Sequence, residues 1–121
     1  MITNDTLAHV NVADLDWPEA VEIAADRISE GAPVARTFVL DAGPRHEVGY
    51  WRITPGRFTT VHSGYLEFIQ ILSGRGALIH ANGERTELRP GVACAMGDGW
   101  NGEWLVEEEL TKAYTIVPTG A

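Results

Sequence analysis

Between Pro33 and Val117 the chain is a succession of short runs that favour extended backbone: VARTFVL, EVGYWRI, FTTV, LEFIQIL, GALIHA, RTELR, VACAM, GEWLVE and KAYTIV. Gly, Pro, Asn and Asp separate most of them, which is the punctuation of an all-β protein. Strands this short and this numerous bury their apolar faces only by packing as a sandwich or curling into a barrel. One corner is written out, since Asn82-Gly83 lies between two such runs in HANGERT. That dipeptide predicts a two-residue type I′ hairpin turn, in which both central residues take positive φ.

Upstream of the strands the pattern changes. The first fifteen residues carry weak periodicity and are expected to form an arm or a peripheral strand. In DWPEAVEIAADRISEG, Val21, Ala24, Ala25 and Ile28 recur at helical spacing, Asp16 with Glu19 resembles a capping box, Pro18 fits a first turn and Gly31 a stop. The expectation is one short helix from about 17 to 29, so that residues 1–31 make an arm and helix and residues 32–121 a single barrel domain.

A chain of 121 residues without repeat or linker suits one domain with a real core. The single cysteine rules out an internal disulfide, and Cys94 in VACAM has the apolar neighbours of a small buried hydrophobe. Mean hydropathy is −0.08 and no apolar run approaches the roughly 20 residues of a membrane span. The N-terminal stretch has acidic residues where a signal peptide needs a basic flank, so a cytoplasmic protein is expected. Seventeen acidic against nine basic residues give a net charge of −8 and a pI near 4.8, which repels phosphate backbones and anionic membranes. Nucleic acid and membrane are not expected partners.

One stretch carries chemistry. GRFTTVHSGYLEFIQILSG, residues 56–74, places Gly56, His62, Glu67 and Gly74 where the first cupin motif has its glycine, first histidine, glutamate and closing glycine. GVACAMGDGWNG, Gly91 to Gly102, follows the spacing of the second cupin motif, with Gly97 replacing the proline and Gly102 the histidine. With GYWRITPG, ILSGRG and the tryptophan and lysine of EWLVEEELTKAYTIV, the chain resembles the cupin subfamily of (S)-ureidoglycine aminohydrolase and the ethanolamine-utilisation cupin. The resemblance implies a double-stranded β-helix, a jelly-roll-like barrel, with a pocket inside it for a small-molecule ligand and with homodimers common. Metal-binding cupins bring three histidines and one glutamate to Mn, Fe, Ni or Zn. Here Gly64 and Gly102 stand at two of the histidine positions, and the interval to Glu67 is one residue short. A cofactor is therefore not expected; a divalent transition metal, if held, would take His62 and Glu67.

Strand alternation orders the other candidates. Glu67, Ile69 and Ile71 share one face of LEFIQIL, which sets Glu67 in the pocket; the reverse parity would bury Phe68 and Leu72 and put Glu67 in solvent. His62 is read as a ligand, a general base or a hydrogen-bonding group, with a half-exposed loop histidine as the plain alternative. Lys112 and Tyr114 share a face, so Lys112 either pairs with Glu67 inside the barrel or lies on the surface beside the acidic run at 107–109. Trp51, Trp100, Trp104, Tyr65 and Gln70 complete the set as binding residues, against the simpler role of core for the tryptophans. The expected function is a small polar metabolite site with Glu67, His62 and Lys112 as an acid-base group. The alternatives are a non-catalytic binding or regulatory cupin, a metal-dependent cupin enzyme using His62 and Glu67, and an oligomerisation partner in a larger assembly.

Overall fold

The computed structural model describes residues 6–120. Nine antiparallel strands follow one another: β1 (Val21–Glu22), β2 (Ile28–Gly31), β3 (Val34–Gly43), β4 (His46–Ile53), β5 (Gly56–Val61), β6 (Tyr65–His80), β7 (Arg85–Leu88), β8 (Ala93–Met96) and β9 (Asn101–Pro118). They form one curled sheet in the order β1-β3-β4-β9-β5-β2, with β6 on the far side of β9 and carrying β7 and β8. The fold is all-β, as the spacing of runs predicts.

Two long strands make the curl. The second half of β9, Leu110 to Ile116, lies between β4 and the first half of β6, while its first half, Asn101 to Val106, lies between β5 and the second half of β6. The ladder between β6 and β9 shifts register at Ile71/Ser73, Ser73/Arg75 and Arg75/Gly76. Bulges of this kind bend strands and increase twist. At the bend Glu107, Glu108 and Glu109 are exposed, and Arg75 holds the first two at 3.0 and 3.5 Å. The sheet thus folds its apolar face onto itself around Ile53, Phe58, Ile69, Ile71, Leu78, Leu88, Trp104, Val106 and Leu110, all at most 3% exposed. Cys94 is half-buried against this core.

The short helix expected over 17–29 is not formed, and no α-helix occurs among the described residues. The segment holds β1, a 3₁₀ turn at Ala25–Arg27 and β2; a second 3₁₀ turn, Val12–Asp14, lies in the expected arm, whose first five residues fall outside the described part. Tertiary pairing overrides the helical periodicity. Val21 and Glu22 pair with Ala35 and Val34 at the edge of β3, and Ile28 to Gly31 pair with β5, satisfying backbone groups that a helix would leave unmatched. Ile23 and Ile28 pack on the core, whereas Val21, placed on the helix's apolar stripe, is 68% exposed. Residues 21–31 therefore form a strap from one open edge of the sheet to the other. Beyond Ala35, β3 runs along that edge, paired with β4 through a register shift between Val39 and Asp41.

The hairpin at Asn82-Gly83 is present with a different turn. Gly83 is at φ 91° but no non-glycine residue has positive φ, so the type I′ geometry is excluded. Gly83 N donates to His80 O at 2.8 Å and Asn82 Oδ1 accepts from Glu84 N at 2.9 Å. This is a three-residue loop ending in a left-handed glycine, with the asparagine acting through its side chain.

Candidate functional site

Cross-strand rows on the inner face of β4, β9 and β6 build a cavity of about 270 Å³. One row is Glu47, Ile116 and Glu67; the next is Gly49, Tyr114 and Ile69; the third is Trp51, Lys112 and Ile71. Alternation along each strand keeps the three rows on one face. A Cβ at Gly49 would collide with the Phe38 carbonyl oxygen and press on the Tyr114 hydroxyl. The bare position lets Tyr114 lean across and donate to Glu47 Oε2 at 2.6 Å. Burial, reinforced by that carboxylate, pushes the Tyr114 phenol well above its ordinary range.

Lys112 and Glu67 meet inside. Nζ donates to Glu67 Oε2 at 2.7 Å, and the residues are 6% and 5% exposed. The ammonium stands 4.5 Å from the Trp51 ring centroid and 4.9 Å from that of Trp104, within cation-π reach. Burial pushes the Lys112 amine downward, against the opposing pull of Glu67. A buried ion pair with hydrogen-bonded geometry and aromatic walls fits the rule that buried charges are compensated.

His62 follows β5 and is clamped by its backbone. Its N–H donates to Trp100 O at 2.8 Å, and its carbonyl accepts from Gly99 N at 2.5 Å. The ring stacks on Tyr65 with centroids 5.1 Å apart and meets Trp100 edge-on at 5.5 Å. Nearby, Asp98 Oδ1 accepts from Gly64 N and Oδ2 from Thr119 Oγ1, both at 2.7 Å, which joins the loop after His62 to the end of β9. His62 Nδ1 lies 3.6 Å from Glu67 Oε1, beyond hydrogen-bond length, and among the described residues it is the buried side-chain polar atom left without a partner.

Seven of the residues expected from the sequence line this one cavity: Glu67, His62, Lys112, Trp51, Tyr65, Trp104 and Tyr114. Two do not. Gln70 is exposed on the outer face of β6, because alternation that turns Glu67, Ile69 and Ile71 inward must turn Gln70 outward with Phe68 and Leu72. Trp100 stands behind His62, between it and His80, and does not line the cavity. Lining residues not anticipated include Glu47, Arg27, Thr37 and Phe58. Glu47 was within reach, since it shares its strand face with Trp51; Arg27 was not, because it belongs to the strap that reads as a helix.

The residues present do not fit a resident transition metal. Gly64, at one histidine position, is in an exposed loop at φ 89°, and a Cβ there meets nothing within 4 Å. Gly102, at another, lies in step with Trp104 and Val106 on the inner face, where a Cβ would collide with the Ile79 carbonyl oxygen and the Trp100 ring. Trp100 therefore fills the space a third ligand would need, and the cation facing Glu67 is the Lys112 ammonium. Among the described residues no group of three His, Cys, Asp or Glu side chains converges as a metal site needs.

His62 also predicts a pH effect. Burial pushes its imidazole pKa down, Glu67 offsets part of that and Lys112 adds to it. The unfolded chain then takes up a proton at higher pH than the folded one, so stability present above about pH 6.5 is lost as pH falls toward the folded value. One such proton contributes at most about 1.4 kcal/mol per pH unit. Urea denaturation of His62→Asn between pH 7.5 and 5 is expected to show a shallower acid loss than the parent; parallel curves would contradict a buried neutral imidazole.

Residues 40–114 match the EutQ-like cupin domain. The chain belongs to the EutQ-like cupin family. No curated protein sequence matches this cupin. Its fold is similar to that of the EutQ protein of Clostridium difficile, with 18% identity, a TM-score of 0.64, and 84% of this chain and 82% of that one covered. It is also similar to a DUF861-family protein of unknown function from Pseudomonas syringae pv. tomato DC3000, with 19% identity and a TM-score of 0.75. There 86% of this cupin aligns with 45% of the larger protein. No helix among the described residues of the cupin is long and apolar enough to cross a membrane.

Proposed function

We propose that this cupin binds a small polar metabolite in the barrel cavity and moves a proton on it without a resident metal. The observation that carries the reading is the unpartnered Nδ1 of His62, 3% exposed and 3.6 Å from Glu67 Oε1. Two groups able to exchange protons, side by side on the cavity wall and one lacking a partner, offer a ligand O–H or N–H two adjacent polar atoms to bridge. Lys112 holds Glu67 in place through its other oxygen. Trp51, Trp104, Phe58 and Ile116 supply apolar walls, and Arg27 on the strap a cation at the rim.

A thermal-shift screen of small hydroxy, amino and keto acids and amides tests the reading. Glu67→Gln keeps an acceptor for Lys112 but removes the ionisable group, so affinity or turnover for a hit is expected to fall about tenfold or more while the fold persists. A hit bound equally well by Glu67→Gln and His62→Asn would remove the cavity from the function. Binding that depends on both residues but brings no chemical change would leave a binding protein.

A further inference from the structure

Of the nine Lys and Arg residues in the chain, Lys112 is the only lysine. Every other basic position is arginine; of the two cations that line the cavity, Arg27 is exposed at the rim and the buried one is the lysine. If Glu67 needed only a counter-ion, the arginine fork would match its carboxylate in two hydrogen bonds. What lysine offers that arginine does not is a nitrogen able to lose its proton and act as a nucleophile. The surroundings provide for both steps. Nζ lies 2.7 Å from Glu67 Oε2, which gives the proton a place to go. The other Glu67 oxygen lies 3.6 Å from His62 Nδ1, a second proton carrier with no partner of its own. Trp51 and Trp104 exclude water from one side of Nζ, and the residue borders the cavity.

We propose that Lys112 forms an imine with the carbonyl group of a small aldehyde or ketone held in the cavity. The inference rests on the reading that the cavity binds a small polar metabolite and names its chemical class. The ammonium first gives a proton to Glu67. The free amine attacks the carbonyl carbon, forming the N–C bond as the C=O π pair moves to oxygen, which takes the proton back from Glu67; the nitrogen's surplus proton passes to the vacated carboxylate, leaving a neutral carbinolamine. Glu67 then protonates the hydroxyl, the C–O bond breaks, water leaves, and the nitrogen lone pair closes the C=N bond to give a protonated imine. The sum is amine plus carbonyl giving imine plus water, with no oxidant or reductant. His62 Nδ1 accepts a proton when the imine is neutralised. Arg27 at the rim favours carbonyl compounds that also carry a carboxylate.

With one lysine the test is direct. The folded chain is incubated at pH 7 with pyruvate or with propanal and cyanoborohydride, and mass gain is mapped to peptides, which separates Lys112 from the α-amine. The expected result is a single reductive addition at Lys112, at least about tenfold faster than at the same lysine in the urea-unfolded chain. The addition should be absent in Lys112→Arg and slower in Glu67→Gln. Labelling of the α-amine alone, or a folded rate no greater than the unfolded one, overturns the imine, and this comparison needs no variant to fold. If pyruvate raises the melting temperature in a Glu67-dependent way without labelling Lys112, the imine fails and the binding cavity stands. If neither labelling nor Glu67-dependent binding is seen, both fail.

Discussion

Lys112→Met is expected to lower the free energy of unfolding by about 3–5 kcal/mol, because it leaves Glu67 buried without its cation. Methionine fills much of the space of the lysine stem, so the loss reports charge more than volume. Glu67 is 5% exposed, and its remaining ionisable neighbour His62 is 3.6 Å away. Combining Lys112→Met with Glu67→Gln should then recover more than half of the loss, the signature of a coupled pair. Urea denaturation at pH 7 of the parent, both single variants and the double variant measures it. A loss below about 1 kcal/mol for Lys112→Met would mean that the pair is solvated, as surface pairs are.

Trp104→Ala is expected to cost a similar amount, about 3–5 kcal/mol, for a different reason. Trp104 is 3% exposed, sits 5.2 Å from Trp51 by ring centroids, and stands beside the Lys112 ammonium. Removing the indole opens a void in the core and removes one aromatic wall of the ion pair together. Trp104→Phe keeps a ring and should lose substantially less. If alanine and phenylalanine are equivalent in denaturation midpoint, Trp104 is not the joint between core and cavity that its contacts indicate.

The parts of the molecule that were readable in the sequence are those where a local rule and the tertiary structure agree. Alternation in LEFIQIL turned Glu67, Ile69 and Ile71 inward because the same face also buries the apolar residues of β9. The same rule argues against Gln70 as a cavity residue, and applied to EVGYWRI it leads from Trp51 to Glu47. The strap was unreadable for a physical reason. Its helical periodicity is real, but 13 residues make a marginal helix alone, and as strands the segment covers edge backbone groups of β3 and β5 that a helix would leave unpaired. Trp100 was misplaced because motif spacing gives a position along the chain and not the direction of a ring. Asn82-Gly83 marked the hairpin correctly, yet the dipeptide does not determine which of two turns closes it.

The position of β9 in the sheet has a consequence for how the molecule is assembled. β9 supplies hydrogen bonds to β4, β5 and β6, and it carries Trp104, Lys112 and Tyr114. Among the described residues it is also the last strand in chain order, so three earlier strands share one partner whose residues lie far along the sequence. The hairpins β3–β4 and β6–β7 close locally, but the apolar inner faces of β4, β5 and β6 stay uncovered until β9 docks between them. Long-range closure of this kind is slow and leaves strand edges open to other chains. A sheet without β9 would be incomplete and prone to association, and the cavity, whose walls include Trp104, Lys112 and Tyr114, depends on that one strand for its assembly.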